Sequence, residues 1–75
     1  MLDAFASRLL EKVMLLAEST PGGYAREEDL MKELNLSYEK DYDEKYITAA
    51  RALYDNGYVE QIGDDFTRLR PRRGA

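Results

Sequence analysis

Four arginines near the C-terminal end are the residues of this sequence best suited to binding an anion. Arg68, Arg70, Arg72 and Arg73 have no acidic residue among them, so residues 66–75 carry a net charge of +4. Residues 1–65 hold 7 basic and 15 acidic residues, a net charge of −8. The sequence therefore predicts an acidic body with a basic end, and that end could contact phosphate groups that the body would repel.

The sequence lacks most residue types that catalysis and zinc binding use. The sequence contains no histidine and no cysteine, which excludes imidazole bases, thiol nucleophiles and the common zinc ligand sets. Gly22-Gly23 is not followed by the Lys-Ser/Thr pair of a phosphate-binding loop, so we interpret it as a turn. Asp64-Asp65 is interpreted as a solvated turn rather than a cation site. We expect neither an enzyme nor a bound cofactor or metal.

The length of 75 residues predicts one domain with a modest core. Without disulfides such a core benefits from oligomerisation, so we expect a homodimer. The N-terminal apolar stretch is interrupted by Glu11 and Lys12, and no uncharged apolar run approaches the ~20 residues that span a bilayer. We therefore expect a soluble protein that does not enter a membrane. The absence of cysteine is compatible with a reducing cytoplasm.

The first predicted helix runs from Leu2 to Ala17 and ends before Pro21-Gly22-Gly23. Asp3 is the expected N-cap or first-turn acid. Leu15 falls on the polar side, where it is either a stray exposed leucine or part of a partner contact. The apolar face consists of Leu2, Phe5, Ala6, Leu9, Val13 and Leu16.

Two further helices are predicted. After a short extended segment at Tyr24-Ala25, the second helix covers about 26–34, with acids in its first turn and Asn35 at its end. The third covers about 42–56 and is closed by Asn56-Gly57. Its N-cap is either Asp41, which forms a capping-box pattern with Glu44, or Ser37. The expected apolar stripe of the third helix is Tyr46, Ile47, Ala50, Leu53 and Tyr54.

The C-terminal part predicts a β-hairpin. Two alternating runs, YVEQI and FTRLR, are separated by Gly63-Asp64-Asp65, which is typical of a three-residue loop. We expect Val59 opposite Leu69, with both packed on the helices, and Pro71 at the end of the second strand. The same register pairs Glu60 with Arg68 and Ile62 with Phe66.

This order of elements resembles the winged helix-turn-helix superfamily. The resemblance is carried by DLMKELNLS in the second helix, by Leu53 and Gly57-Tyr58-Val59 before the hairpin, and by TRLRP in the returning strand. It implies an α+β, mainly helical fold, with three helices followed by a two-stranded wing. Residues 1–71 would form one winged-helix domain, followed by a basic tail at 72–75.

The resemblance also implies that the third helix enters the major groove of DNA and that the wing lies against the backbone or minor groove. The solvent face of that helix is mixed in charge, with Glu44, Lys45, Thr48, Arg51, Ala52 and Asp55. The candidate nucleic-acid contacts are Lys45, Thr48, Arg51, Arg68, Arg70, Arg72 and Arg73.

The stretch SYEKDYDEKY, residues 37–46, departs from the family pattern. It lengthens the connection between the second and third helices and carries a net charge of −2, which opposes phosphate. Its tyrosines at 38, 42 and 46 are spaced by four. Either Tyr46 is core and the other two cover the domain edge, or they form an aromatic patch for a protein partner.

Two functions therefore remain open. The first is a dimeric DNA-binding transcriptional regulator, inferred from the fold resemblance and the arginines. The second is a winged-helix interaction module that does not bind DNA and uses the 37–46 segment. The candidate partner contacts are Leu2, Phe5, Leu15, Tyr38 and Tyr42.

Overall fold

The computed structural model describes residues 2–35 and 42–72. They form an α+β fold with three helices and a three-stranded antiparallel sheet in the order β1-β3-β2. The elements in chain order are α1 (Ala4–Ser19), β1 (Ala25–Arg26), α2 (Glu27–Glu33), α3 (Tyr42–Asp55), β2 (Val59–Gln61) and β3 (Arg68–Pro71).

Helix α1 begins and ends two residues later than predicted. Asp3 is its N-cap, as expected, since its Oδ1 accepts a 2.7 Å hydrogen bond from the backbone N–H of Ala6. The predicted apolar face packs into the core, with Leu2, Phe5 and Leu16 only half-buried. The fully buried part of α1 is Ala6, Leu9, Val13 and Ala17.

Helix α2 follows β1 without a loop. Arg26 ends the strand and is also the N-cap residue of the helix, so α2 begins one residue later than predicted. Leu30 and Leu34 supply its buried side chains. Asn35 has a positive φ of 58°, the left-handed conformation that commonly follows a helix end and that asparagine tolerates.

Helix α3 covers the predicted range closely. Beyond its end, the N–H groups of Gly57 and Tyr58 donate to the carbonyls of Tyr54 and Leu53 at 3.1 and 2.9 Å, a Schellman motif that needs the positive φ of Gly57, 79°. The predicted stripe is only partly buried. Tyr46, Ala50 and Leu53 are 0% exposed, whereas Ile47 and Tyr54 are 39% and 42% exposed.

The exposure of Ile47 and Tyr54 follows from the helical repeat of 100° per residue. This repeat places both residues beside the buried side chains, at the edge of the stripe. The competing N-cap candidates Ser37 and Asp41 lie outside the described residues.

The predicted hairpin is present, but its predicted register is wrong by two residues. Val59 lies opposite Pro71, Glu60 opposite Arg70 and Gln61 opposite Leu69. The connection therefore spans 62–67 rather than three residues, and Ile62 does not pair with Phe66. Since the offset is an even number, no side chain changes face. Val59 and Leu69 are buried as expected, at 1% and 0% exposure.

The short extended segment forms a third strand. Ala25 pairs with Leu69 and Arg26 with Arg68, so β3 is the central strand. The inward face of the sheet packs on α1 and presents Ala25, Val59 and Leu69 to the core. Arg68 and Arg70, on either side of Leu69, must therefore project from the opposite face.

Candidate functional site

The outer face of the sheet collects arginines from two strands. Residues directly opposite each other in an antiparallel pair share a face, so Arg26 shares a face with Arg68, and Glu60 with Arg70. Arg72 continues the same alternation just beyond β3. Its N–H donates to the carbonyl of Tyr58 at 3.0 Å, which extends the ladder by one step. We call this exposed surface, formed by Arg26, Arg68, Arg70 and Arg72, the arginine face.

Tyr24 contacts two of these arginines. The guanidinium carbons of Arg26 and Arg68 are each 5.9 Å from the centre of the Tyr24 ring, within the range of a cation–π interaction. Arg26 Nη2 also donates a 3.4 Å hydrogen bond to Tyr24 Oη. This hydrogen bond and the charge of Arg26 lower the pKa of Tyr24, with a smaller contribution from the charge of Arg68. The Tyr24 ring therefore interacts electrostatically with the guanidinium groups of both Arg26 and Arg68.

Arg70 is in a different environment. Its Nε donates a 2.7 Å hydrogen bond to Glu60 Oε1, and the two side chains are 48% and 45% exposed. An ion pair this exposed is worth about 0.2–1 kcal/mol. Glu60 thus neutralises part of the arginine face without contributing much to the stability of the fold.

A groove of about 420 Å³ opens beside the Arg26–Arg68 pair, where β1 enters α2 and the hairpin connection enters β3. Its lining combines the two arginines with glutamates from the first turn of α2. Its lining residues are Arg26, Glu27, Glu28, Met31, Thr67 and Arg68.

Asp65 and Thr67 give the end of the hairpin connection its shape. Asp65 Oδ1 accepts hydrogen bonds from the Thr67 hydroxyl at 2.6 Å and from the Thr67 N–H at 3.1 Å. These bonds lower the pKa of Asp65. The residue predicted to be part of a solvated turn thus fixes the backbone that leads into Arg68.

Within 2–35 and 42–72, no cluster of acidic residues could hold a metal ion.

The α3 candidates form a separate group. Lys45, Thr48 and Arg51 are all exposed and, spaced by three, lie along one side of the helix. The acids Glu44 and Asp55 are exposed there too. A cleft of about 540 Å³ separates this side of α3 from the start of α1, and is lined by Asp3, Phe5, Glu44, Lys45, Thr48 and Ala49.

The predicted nucleic-acid residues thus divide into an α3 group and a sheet group, while Arg73 lies outside the described residues. Arg26 and Tyr24 were not among the residues predicted from sequence. The signal for them was the extended segment itself, since a strand at 24–26 would align Tyr24 and Arg26 on one face. A single sequence does not show which strand such a segment joins.

The predicted partner contacts are mixed. Leu15 is 52% exposed and lies beside Met14, which is also 52% exposed, whereas Leu2 and Phe5 pack against the core. Tyr38 lies outside the described residues, and Tyr42 is the first residue of α3. Tyr46 is fully buried, so the interpretation of this tyrosine as core is confirmed.

Across the described part of the chain, the helices are too short or too polar to cross a membrane. Comparison of the chain with protein-family models, with curated proteins and with solved structures found no match.

Proposed function

We propose that this protein is a winged-helix DNA-binding domain whose arginine face contacts the phosphate backbone of duplex DNA. The observation that carries the proposal is the alignment of Arg26, Arg68, Arg70 and Arg72 on one exposed face of the sheet. The order of the elements, with three helices and a hairpin after α3, supports the winged-helix assignment.

The charge distribution favours a backbone contact over a diffuse attraction. The chain as a whole has a net charge of −4, so it gains affinity for DNA only where its cations are concentrated. Guanidinium groups suit this role because their planar donors match the phosphate oxygens. Arg51 and Thr48 on α3 would then meet base edges, as the family resemblance implies.

We further propose that the protein acts as a dimeric transcriptional regulator. A monomer with so few cations binds DNA weakly, and two copies would double the contacts and fix the spacing of two half-sites. The adjacent, half-exposed Met14 and Leu15 on α1 are the proposed dimer contact. Sedimentation at micromolar concentration should show a dimer that Leu15→Glu dissociates, and a monomer at all concentrations would contradict this part of the proposal.

The DNA proposal is tested by titrating a fluorescent duplex at two salt concentrations. Wild-type binding should weaken as salt rises, and Arg68→Ala with Arg70→Ala should weaken it further and flatten the salt dependence. The log–log slope should fall in magnitude by about 0.9 for each phosphate that the protein no longer neutralises. Arg8→Ala with Lys32→Ala is the matched control, since it removes two exposed positive charges from α1 and α2 instead of the sheet. Binding that is undetectable at low salt would overturn the proposal.

A further inference from the structure

The Arg26–Arg68 pair is a candidate phosphate fork, because two guanidinium groups from paired positions on adjacent strands reach the same ring. We propose that Arg26 and Arg68, held against the Tyr24 ring, together bind a single phosphodiester group of the DNA backbone, with Tyr24 as a positioning residue. This inference deepens the proposed function and rests on it, because it assigns one backbone phosphate to one pair of side chains.

The strand register brings the two arginines together. Arg26 and Arg68 are directly opposite partners in the β1–β3 ladder, so their side chains leave the sheet side by side on the same face. They come from different strands, and both guanidinium groups reach the same aromatic ring at 5.9 Å. Two cations next to each other would normally repel, and the electron-rich ring that both contact offsets part of that repulsion.

The backbone beneath the pair is fixed at both ends. The N–H of Glu27, the residue after Arg26, donates to the carbonyl of Thr67, the residue before Arg68, at 2.8 Å. Thr67 is in turn held by Asp65. The backbone positions of the two arginines are therefore set before any ligand arrives, which reduces the conformational entropy lost on binding.

The adjoining groove has room for the ligand. Its volume of about 420 Å³ lies within the range of ~300–1,000 Å³ that is typical of small-ligand sites. Thr67 and Met31 also line it. A phosphate seated on the two guanidinium groups would leave this space for the attached sugars.

The glutamates that line the groove oppose the binding of an anion. Two glutamates and two arginines line it, so the lining has no net positive charge. The hydrogen bond and charge of Tyr24 raise the pKa of Arg26, and the charge of Glu28 adds to this effect. Affinity must therefore come from the placement of the fork instead of net charge. Removal of the exposed Glu28 charge should therefore strengthen binding, whereas removal of either arginine should weaken it.

The first experiment measures duplex DNA binding across a range of salt concentrations for Arg26→Ala, Arg68→Ala and the double variant. One phosphate accounts for a slope of about 0.9, so no single change should lower the magnitude of the log–log slope by more than that. If both arginines hold the same phosphate, the total loss in the double variant should also be about 0.9. A double variant whose slope falls twice as far would mean two separate phosphates and would overturn the shared site.

The role of Tyr24 is tested by comparing two substitutions. Tyr24→Phe keeps the ring and should retain most of the affinity, whereas Tyr24→Leu removes the ring and should weaken binding with the arginines intact. Glu28→Gln should strengthen binding, and Arg8→Ala should leave the slope unchanged. Equal behaviour of the Phe and Leu variants would refute the positioning role.

A titration with dimethyl phosphate separates this inference from the proposed function. The side-chain NMR signals of Arg26 and Arg68 should shift together as the phosphodiester is added, while those of Arg8 stay fixed. If DNA binding is absent but this response is seen, the phosphate site stands and the DNA function fails. If DNA binds while Arg26→Ala and Tyr24→Leu change nothing, the function stands and the site is wrong. If the protein shows neither DNA binding nor a response to dimethyl phosphate, both the DNA function and the phosphate site are wrong.

Discussion

The hydroxyl of Tyr46 donates a 2.6 Å hydrogen bond to the backbone carbonyl of Phe66. Tyr46 is in the first half of α3 and is 0% exposed, so this bond joins the core of the helix to the hairpin connection. The Phe66 ring also packs edge-to-face on Tyr54, with 5.8 Å between the ring centres. The segment that leads into Arg68 is thus attached to α3 at two points, which links the position of the arginine face to that of the helix.

Tyr46→Phe should destabilise the fold by about 1–2 kcal/mol. The substitution removes the hydroxyl but leaves the Phe66 carbonyl in a partly buried site, where an unpaired acceptor costs more than the bond contributes on average. Chemical denaturation measures the change. Tyr54→Phe is the control, because its hydroxyl is on an exposed side chain, and it should change stability by less than about 0.5 kcal/mol. Equal stabilities of the two variants would show that the Tyr46 bond contributes little.

Tyr46 should also make the fold sensitive to alkaline pH. Burial, followed by the nearby charges of Glu27 and Asp65, raises the pKa of its hydroxyl above the ordinary value of 10.0. The unfolded chain then loses this proton at lower pH than the folded one, so the stabilisation is complete below about pH 10 and declines as pH rises beyond it.

Thermal unfolding between about pH 9 and pH 11 measures this decline. Wild type should lose stability more steeply than Tyr46→Phe, which has no proton to lose at this position. The comparison cancels the other tyrosines and the lysines, which titrate in both proteins. Parallel curves for the two proteins would mean that the hydroxyl titrates normally.

Leu69→Ala should cost on the order of 2–4 kcal/mol. Leu69 is 0% exposed and lies on the central strand, where it pairs with Ala25 on one side and Gln61 on the other. Truncation would leave a cavity between the sheet and α1. Leu15→Ala removes the same atoms from a half-exposed site and should cost less than about 0.5 kcal/mol in the monomer. Equal costs for both would contradict the assignment of Leu69 to the core.

The elements were easier to predict from sequence than their pairing. Apolar spacing and end signals such as Asp3 and Gly57 located all three helices, because they depend on neighbours within a few residues. The hairpin register depended on distant partners. Phe66 and Thr67 would have continued the ladder in the predicted register, but their carbonyls are hydrogen-bonded to Tyr46 and Glu27 instead.

The arginine face was only partly evident from the sequence for the same reason. Arg68, Arg70 and Arg72 were evident from composition and alternation, whereas Arg26 joined them only through the pairing of a two-residue strand with β3. Tyr24 carries no charge, so the pattern of basic residues did not indicate it. Its contacts depend on two arginines that are 42 residues apart in sequence, which no local pattern encodes.

Glu60→Gln should strengthen DNA binding while changing stability by less than about 1 kcal/mol. The carboxylate holds Arg70 at 2.7 Å, so the amide would free one guanidinium group and remove one negative charge from the arginine face. Glu11→Gln on α1 makes the same change in net charge away from the sheet. A duplex titration at low salt compares the two variants, and an equal gain for both would mean that net charge alone decides affinity.

Substitutions on α3 and on the sheet should affect DNA binding differently if α3 enters the major groove. Arg51→Ala would remove a base-edge contact and should cost about 1–3 kcal/mol of discrimination between a preferred duplex and an unrelated one. Arg68→Ala should weaken binding to both duplexes equally, because phosphate contacts carry no sequence information. Selection from a random duplex library supplies the preferred sequence, and competition titrations measure the ratio. If Arg51→Ala weakens both duplexes by the same factor, α3 contacts only the backbone, and the major-groove role implied by the family resemblance is wrong.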